Sequence, residues 1–296
     1  MQYRRLGKSD LTVSAIGMGC IQFGDKADLP ETERIVGRAL ELGITFFDTA
    51  NVYSDGVGEE FLGRALGHRR KEIVLATKVG RVRMGAQRKL VRDSSPTEIR
   101  AGIDASLRRL GTDYIDLFQV HWPDPDVAFE DTMAVMQELV TAGKVRHVGI
   151  CNYAGEQVRR AHAALPALAT LQSPYNMLRR ELETETFPYC VHHGIGIIPY
   201  WPLEQGVLAG RHPPEGAAPA LRAKAAVVAG LRPIAERLGR PLAQLALAWL
   251  LARPGVAAVI PGASRHDQLA ENVGVGDWNL TPSEVQEIDI VLAGPG

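Results

Sequence analysis

The sequence contains the stretch Ile44-Thr45-Phe46-Phe47-Asp48-Thr49-Ala50-Asn51-Val52-Tyr53-Ser54. Its first part is an apolar run that ends at Asp48, and Tyr53 lies five residues after Asp48. Two later apolar runs close in the same way, the first on Lys78 and the second on His121. Parallel strands of one barrel all end at its carboxyl-terminal face, where enzymes of this architecture keep their chemistry. The pattern therefore predicts that these four polar side chains meet in one pocket.

Short apolar runs and amphipathic helical segments alternate along the rest of the chain. A predicted β-hairpin, with arms at 3–6 and 11–13, comes first. Eight strand candidates follow, at 15–19, 44–48, 73–78, 115–120, 147–150, 169–172, 195–200 and 257–260. Helices are predicted at 31–42, 58–66, 97–109, 129–142, 155–164, 182–193, 220–252, 265–273 and 282–291. The long region 220–252 is expected to break at Pro233 and Pro241.

Strand–helix alternation of this kind is typical of an α/β protein with a parallel sheet. Eight units favour a (β/α)8 TIM barrel with an N-terminal β-hairpin and an extra C-terminal helix, with residues 1–296 as a single domain. The alternative is a doubly wound fold, which should carry a Gly-x-Gly-x-x-Gly loop after its first strand. The nearest match, Gly17-Met18-Gly19-Cys20-Ile21-Gln22, lacks the third glycine. The Pro-rich stretch 210–220 is predicted to be a loop.

The composition argues against several classes of function. The 296 residues are 46% hydrophobic and 23% charged with a net charge of -1, which leaves no basic footprint for nucleic acid or an anionic membrane. Segment 1–7 lacks the apolar core of a secretory signal, and the apolar stretch 242–252 is too short to span a bilayer. Cys20, Cys151 and Cys190 form neither a disulfide framework nor a zinc pattern. A cytoplasmic protein without a metal is expected, and its oligomeric state is left open.

The predicted pocket combines groups that suit proton transfer. A free tyrosine has a pKa of roughly 10, too high for an efficient acid at neutral pH, and a nearby ammonium lowers it. Lys78 would supply that charge to Tyr53, Asp48 would hold the ammonium, and His121 would share a proton with the substrate oxygen. Each residue also has a plain alternative, as a loop aromatic, a solvated strand end, a helix N-cap or a hydrogen-bonded histidine. The coincidence of all four favours protonation of a carbonyl oxygen as its carbon receives hydride.

Several long, ordered motifs resemble the aldo-keto reductase family. They are Asp48–Ser54, the strand that ends at Lys78, Leu110–Pro123, Gly143–Ile150, Gln172–Asn176, Tyr200–Leu203 and Ile260–Ser264. The resemblance runs from about Tyr3 to the last predicted helix. It implies a (β/α)8 barrel that binds NADP(H) in extended form and reduces a small-molecule aldehyde or ketone, with NAD(H) left open as a cofactor.

The resemblance also implies roles for individual residues. Tyr53 would be the general acid/base, Lys78 and Asp48 would tune it, and His121 would orient the carbonyl. The residues that match the family's cofactor site are Gly19, Cys151, Asn152, Gln172, Tyr200, Trp201, Leu203, Gln205, Gly206, Gly262, Ser264, Arg265, Gln268 and Asn272.

Different parts of this set would hold different parts of the cofactor. Asn152 and Gln172 match the residues on the nicotinamide carboxamide, Tyr200 matches the aromatic on its ring, and 201–208 matches the loop over the pyrophosphate. The positions that match the adenosine 2′-phosphate and adenine site are Ser264, Arg265, Gln268 and Asn272. Without the resemblance, we would predict that Gln172 is a polar residue of the barrel interior and that Tyr200 is an aromatic residue of the core. A serine and an arginine directly after the last strand suit phosphate binding on physical grounds alone.

The sequence departs from the family pattern around this cofactor site. Cys151 stands where a carboxamide-binding serine is usual, and Trp201 replaces a common serine. Gly262 and Gln268 stand where many members carry lysine and arginine. Arg265 is then the main positive charge that could bind a 2′-phosphate, and we expect this residue to give a preference for NADPH over NADH.

Two further predictions concern the substrate. The segment 80–92 is strongly basic, which fits either recognition of an anionic substrate or, as the favoured interpretation, a solvated surface loop. Phe23 and Trp122, together with Trp201, are candidates for an apolar substrate pocket, with packing in the core or on the barrel exterior as an equal alternative.

The leading functional interpretation is an NADPH-dependent carbonyl reductase. The alternative is an NADP(H)-binding regulatory or redox-sensing subunit with little turnover, since some relatives serve ion channels; the intact tetrad favours the enzyme. A barrel lyase or isomerase that uses Lys78 as a Schiff-base amine is weaker, because it leaves the Tyr200 and Ser264 motifs unexplained. Loop sequences build the substrate site, and they do not identify the substrate.

Overall fold

A computed structural model describes residues 1–84, 87, 89–211 and 219–293. In these residues the strands are β1 (Tyr3–Arg5), β2 (Thr12–Ser14), β3 (Met18–Gly19), β4 (Phe46–Asp48), β5 (Val74–Val79), β6 (Arg81–Met84), β7 (Lys89–Arg92), β8 (Ile115–Val120), β9 (Val145–Cys151), β10 (Thr170–Pro174) and β11 (Gly196–Tyr200). The helices are α1 (Leu29–Glu41), α2 (Val57–Leu66), α3 (Pro96–Leu110), α4 (Phe129–Thr141), α5 (Glu156–Ala164), α6 (Thr186–His192), α7 (Pro219–Arg237), α8 (Leu242–Leu251), α9 (Gln268–Val273) and α10 (Pro282–Ala293).

Seven of these strands form one parallel sheet in the order β11-β10-β9-β8-β5-β4-β3. Its register places Asp48 opposite Ala76 and Lys78 opposite Gln119. Since parallel strands end on the same edge of a sheet, this register brings the polar residues at the strand ends to one side of the molecule. Helices between successive strands cover the outside, which explains why β8 is buried along its whole length.

The segment 256–262 fills the eighth position and joins both edges of this sheet. Isolated parallel bridges pair Ile16 with Val259, Gly19 with Gly262 and Ile197 with Val256. The prediction of a continuous strand at 257–260 was wrong. Residues in this segment pair through single bridges with two different strands. Pro261 has no N–H group with which to extend a ladder of hydrogen bonds. The (β/α)8 barrel architecture itself is confirmed, as is the extra C-terminal helix, α10.

The predicted N-terminal hairpin is confirmed and covers the amino-terminal end of the barrel. β1 pairs antiparallel with β2, and the hairpin residues Leu6, Leu11 and Val13 are buried inside the barrel. The turn packs so tightly that a Cβ on Gly7 would lie 2.4 Å from the backbone nitrogen of Gly196. The hairpin closes this end, so the barrel interior opens towards the carboxyl ends of its strands.

The helices begin and end at the residues that capping preferences favour. The Asp28 side chain accepts the backbone N–H of Glu31 at the start of α1, and Ser95 does the same for Glu98 at the start of α3. Gly111, with a φ of 61°, ends α3 in the left-handed conformation that glycine adopts easily. These local signals set the helix lengths and, with them, the points at which the strands enter the barrel.

Several predicted elements differ from the observed ones. Helix α7 continues through Pro233, although a break was predicted there. Proline removes only its own bond to the carbonyl of Ala229, which is exposed to water, while Leu231 and Ile234 anchor the helix on the core. The break before α8, at Pro241, is confirmed. The predicted loop at 210–220 lies largely outside the described residues.

The basic segment 80–92 is ordered differently from the surface loop that was predicted. β6 and β7 pair antiparallel in a hairpin, with Arg81 opposite Arg92. Its tip, at positions 85, 86 and 88, lies outside the described residues. Among the described helices, none is long and apolar enough to cross a membrane.

Candidate active site

A buried lysine holds the centre of the predicted tetrad together. Lys78 is fully buried at the carboxyl-terminal part of β5, and its Nζ lies 2.5 Å from Oδ1 of Asp48. The same ammonium donates to the backbone carbonyl of Thr49 over 2.9 Å and lies 3.4 Å from Oη of Tyr53. The structure therefore places the tyrosine, lysine and aspartate in one connected network.

The protonation of this network follows from burial and from the paired charges. Burial alone would lower the pKa of Lys78, but the carboxylate of Asp48 and the phenol of Tyr53 outweigh it and raise that pKa. Burial raises the pKa of Tyr53 to about 12, and the ammonium of Lys78 acts in the opposite direction. Lys78 thus lowers the pKa of Tyr53, as expected, but the rise caused by burial is larger. Tyr53 is a protonated phenol at neutral pH, ready to donate.

His121 completes the tetrad from the end of β8. Its ring stands edge-on to that of Tyr53 with the ring centroids 6.1 Å apart. Its backbone N–H donates to the carbonyl of Val79 over 2.8 Å. Burial, followed by the positive charges of Lys78 and Arg81, lowers the pKa of His121 well below its usual value. The imidazole is therefore neutral at physiological pH and suited to donate a hydrogen bond without carrying a charge.

Strained backbone concentrates around this site. Of the six non-glycine residues with positive φ in the described part of the chain, five line the same cavity: Ser54, Asp55, Asn152, Trp201 and Gln205. Ser54 and Asp55 directly follow Tyr53, and the Ser54 hydroxyl is held by the carbonyl of Phe23 over 3.0 Å. Such conformations cost free energy and persist where the surroundings impose them, commonly at functional sites.

The cavity has a volume of about 1250 Å³ and opens at the carboxyl ends of the strands. From the predicted tetrad, Asp48, Tyr53 and His121 line it, while Lys78 lies behind them. The predicted cofactor residues that line it are Gly19, Cys151, Asn152, Gln172, Tyr200, Trp201, Leu203, Gln205, Gly206, Gly262, Ser264 and Gln268. Arg265 and Asn272 do not line it, the first being exposed and the second buried.

The two predicted substrate residues behave differently. Trp122 lines the cavity beside His121. Phe23 does not: its side chain is fully buried in the hydrophobic core, and the prediction that it lines the pocket was wrong. The neighbours Gln22 and Gly24 face the cavity instead, because the turn there directs Phe23 inward. The sequence does not give the direction of a side chain in an irregular loop.

Four predicted nicotinamide-site residues form one hydrogen-bonded group next to the tetrad, in which Cys151 links Asn152 to Gln172. Asn152 donates from Nδ2 to the carbonyl of His121 over 2.9 Å, and its Oδ1 accepts the hydroxyl of Tyr200 at 2.6 Å. Gln172 donates from Nε2 to Oδ2 of Asp48 over 2.8 Å. The thiol of Cys151 lies 3.7 Å from Oε1 of that glutamine. Amide groups are thus held in place beside Tyr53, where a carboxamide would need partners.

The residues predicted for the 2′-phosphate have a different arrangement from the expected one. Helix α9 begins at Gln268 and not at Arg265, and Oε1 of Gln268 accepts the backbone N–H groups of Ser264 and Arg265 over 2.9 and 3.3 Å. The guanidinium of Arg265 is paired with Asp267. The side-chain oxygen of Gln268 therefore accepts the backbone N–H groups that a phosphate oxygen would use, and the guanidinium of Arg265 already has a carboxylate partner.

Sequence reasoning missed some residues that belong to the site. Gln119 is fully buried and donates from Nε2 to Oδ2 of Asp48 over 3.2 Å. Because side chains alternate along a strand, Gln119 shares a face with His121 two residues on, and this spacing could have identified it. Glu204, buried in the loop after β11, accepts hydrogen bonds from Asn176, Arg179 and Lys224. No local sequence signal marks it, because its partners come from distant segments.

Comparisons with known proteins find relatives over nearly the whole chain. The model of the aldo/keto reductase family matches residues 15–293. An aldo-keto reductase of Bacillus subtilis is 33% identical over 99% of this chain and 94% of its own length. A protein of Arabidopsis thaliana described as a probable voltage-gated potassium channel subunit beta is 36% identical over 99% and 97%.

Solved structures show the same architecture. A glycerol dehydrogenase from Gluconobacter oxydans superposes with a TM-score of 0.90 at 30% identity and covers 98% of this chain and 95% of its own. An aldo-keto reductase from Bacillus halodurans, in its holo form, gives 0.87 at 36% identity over 98% and 96%. Likeness in sequence and in fold extends over nearly the whole length, and the chain therefore belongs to the aldo/keto reductase family, whose members are oxidoreductases.

Proposed function

We propose that the protein reduces aldehydes or ketones to alcohols with NADPH. The observation that carries this proposal is the position of Lys78, whose Nζ bridges Asp48 at 2.5 Å and Tyr53 at 3.4 Å beneath a large cavity. A buried ammonium next to a protonated phenol is what a carbonyl reduction needs, because the phenol gives up its proton as charge develops on the substrate oxygen.

The chain's own groups perform the proton chemistry. A bound reduced nicotinamide supplies the hydride. Tyr53 donates the proton from Oη to the carbonyl oxygen, and Lys78 stabilises the phenolate that remains. His121 is neutral and donates a hydrogen bond to the same oxygen, which orients the carbonyl. Asp48 keeps the ammonium in place, and in the oxidation direction each proton moves back along the same path.

The residues present fit a nicotinamide dinucleotide. The cavity exceeds the roughly 300–1000 Å³ of ordinary ligand pockets, which leaves room for a dinucleotide and a small substrate. Gln172 and Asn152 would bind the carboxamide, the half-buried Tyr200 ring would stack on the nicotinamide, and the loop 201–208 would lie over the pyrophosphate. Ser264, Arg265 and Gln268 would hold the 2′-phosphate once Gln268 releases the backbone N–H groups.

A second candidate function is favoured by one comparison. The Arabidopsis relative described as a probable potassium channel subunit beta is as similar as the reductases. A regulatory or redox-sensing subunit with little turnover would keep the cofactor site and would not need fast catalysis. Cofactor binding cannot separate the two functions, whereas turnover can.

The decisive experiment is a panel of aldehydes and ketones assayed with NADPH and with NADH. We expect NADPH-dependent turnover that disappears in Tyr53→Phe while NADPH still quenches the protein's fluorescence. Absence of turnover for every carbonyl compound, with tight NADPH binding retained, would favour the regulatory subunit.

We also propose that the protein is a single domain with a cytoplasmic location. The three free, buried thiols Cys20, Cys151 and Cys190 support the location, because a reducing compartment keeps thiols free.

A further inference from the structure

Arg81 lies at the mouth of the cavity, next to the groups that handle the proton. It begins β6 three residues after Lys78, and its side chain lines the cavity together with Tyr53, His121 and Trp122. Its backbone carbonyl accepts Nδ2 of Asn51 over 3.0 Å, which fixes the start of the hairpin relative to the turn that carries Tyr53. The side chain of Arg81 lies close to Trp122 and His121.

The guanidinium of Arg81 has no carboxylate partner among the described residues. Its Nε is buried and has no hydrogen-bond acceptor within the described part of the chain. Arg83, two residues along the same strand, is paired with Asp55. Since no described carboxylate neutralises the Arg81 guanidinium and the residue lines the cavity, Arg81 is a place where an incoming anion would be bound favourably.

The surroundings present this cation towards the cavity. The Arg81 guanidinium lies over the Trp122 ring at 5.9 Å from its centroid, and that of Arg92 lies over the same ring at 5.1 Å. Arg92 is also tied to the carbonyl of Pro123 over 3.2 Å. The aromatic ring thus supports two cations, of which Arg81 faces the cavity.

Two further cations, Arg83 and Arg92, lie close enough to Arg81 to repel its charge. Burial, followed by the positive charges of Arg92 and Arg83, lowers the pKa of Arg81, yet a guanidinium remains charged at any physiological pH. Its charge also contributes to the lowered pKa of His121. A negative group bound at Arg81 would relieve the repulsion among the arginines.

We propose that Arg81 binds a carboxylate on the substrate, so that the protein prefers aldehydes or ketones that carry a carboxylate over their uncharged counterparts. The inference rests on the proposed carbonyl reduction and names the substrate class of that same site. A planar guanidinium matches a carboxylate through two parallel hydrogen bonds, which positions the substrate as well as attracting it. Arg81 is a specificity residue in this account and takes no part in the proton transfer.

The test compares charged and neutral forms of one substrate. 4-Oxobutanoate and 4-carboxybenzaldehyde are assayed against their methyl esters with saturating NADPH, using wild type, Arg81→Met and Arg81→Lys. Lys89→Met serves as the matched control, because Lys89 is exposed on the same hairpin and does not line the cavity. It removes an equal charge without touching the proposed site.

We expect lower KM values for the carboxylates than for the esters in the wild type. Arg81→Met should raise the KM for at least one carboxylate by roughly ten- to a hundredfold, as expected for loss of a charge-assisted hydrogen bond, with KM and kcat for the esters nearly unchanged. Arg81→Lys should recover part of this loss, and Lys89→Met should show none of it.

Three outcomes would overturn the inference. Equal KM values for carboxylates and esters in the wild type would show that the mouth does not select anions. An equal effect of Arg81→Met on both forms would assign Arg81 to general packing. A raised Kd for NADPH in Arg81→Met would mean that the cation serves a cofactor phosphate. Ester turnover by the wild type separates all three from failure of the proposed function, which predicts turnover of neutral carbonyl compounds.

Discussion

Gln172 donates a hydrogen bond from Nε2 to Oδ2 of Asp48 over 2.8 Å. The other oxygen of that carboxylate, Oδ1, accepts the ammonium of Lys78, and Gln119 donates a second bond to Oδ2. A residue assigned to the cofactor carboxamide therefore also orients the carboxylate beneath the proton donor. This arrangement predicts that cofactor binding and proton transfer are coupled through Asp48.

The two glutamines allow that coupling to be tested by a matched pair of variants. Gln172→Met removes a bond to Asp48 and a proposed cofactor contact, so it should lower kcat and weaken NADPH binding. Gln119→Met removes only a bond to Asp48, because Gln119 does not line the cavity, and it should lower kcat with little change in the NADPH Kd. Each lost bond should cost roughly fivefold to tenfold in kcat. Identical Kd effects in the two variants would contradict the assignment of Gln172 to the cofactor.

Tyr53→Phe removes the proposed acid while keeping the aromatic ring. We expect kcat to fall by roughly 10²–10⁴-fold, the usual contribution of a positioned proton donor. NADPH affinity should change little, and a deuterated cofactor should report whether hydride transfer limits the rate. Near wild-type kcat with a full isotope effect would remove Tyr53 from the mechanism.

Lys78→Met tests whether the ammonium tunes the phenol. Alcohol oxidation needs the phenolate, and Tyr53 has its pKa raised to about 12 by burial with Lys78 acting against that rise. Removing the positive charge should raise the tyrosine pKa further, so the pH range over which the oxidation rate rises should move to higher pH. Reduction should fall by about 10²-fold or more. An ascending limb that stays at its wild-type position would show that Lys78 does not set the proton affinity of Tyr53.

The ion pair of Arg265 with Asp267 changes the expectation for cofactor choice. Both side chains are largely exposed, so their interaction is screened and weak, yet it holds the guanidinium away from a ligand. Arg265→Ala should weaken NADPH binding by about tenfold at most and leave NADH unchanged. Asp267→Asn should strengthen NADPH binding by roughly two- to fivefold, since the arginine is then available. Fluorescence titration with both cofactors measures this, and parallel shifts for NADPH and NADH would rule out a 2′-phosphate contact.

Glu204 is expected to stabilise the loop over the proposed pyrophosphate site. It is buried, and its bonds from Arg179, Lys224 and Asn176 overcome the opposing effect of burial and lower its pKa to about 2. Because the folded-state pKa is depressed, this stabilisation is fully present above about pH 4.5 and is lost as the pH falls towards 2. Glu204→Gln should reduce the free energy of unfolding by roughly 2–3 kcal/mol at pH 7, less than for a fully buried pair since both cations are partly exposed.

Urea unfolding at pH 7 and near pH 3 measures this difference. The difference in unfolding free energy between wild type and Glu204→Gln should narrow at the lower pH, because protonation of Glu204 in the unfolded chain then offsets part of the stabilisation. Glu181→Gln, which changes an exposed glutamate in the same region, should have little effect at either pH. A gap that is independent of pH would mean that the charge of Glu204 is not what stabilises the loop.

Much of the architecture was predictable because its signals are local. Apolar runs alternate with capped helices, and a polar residue at the end of a parallel strand points to the barrel mouth wherever the helices lie. For this reason the sequence alone was enough to predict that Asp48, Lys78 and His121 share one site. Tyr53 could be added to that site because it lies only five residues after Asp48 in the sequence. The hairpin and the last helix are equally local in origin.

Other features required the tertiary structure, because they depend on pairs of residues that are distant in sequence. Residues 256–262 bridge two edges of the sheet, and only barrel closure determines that they do so without forming a continuous strand. Phe23 turned into the core, and Arg81 lacks a carboxylate partner within residues 1–84, 87, 89–211 and 219–293, because of how irregular loops pack around the mouth. The partner of Arg265 depends on where α9 begins. Periodicity and capping specify elements, whereas the direction and pairing of individual side chains at a loop-built mouth depend on which elements the closed barrel brings together.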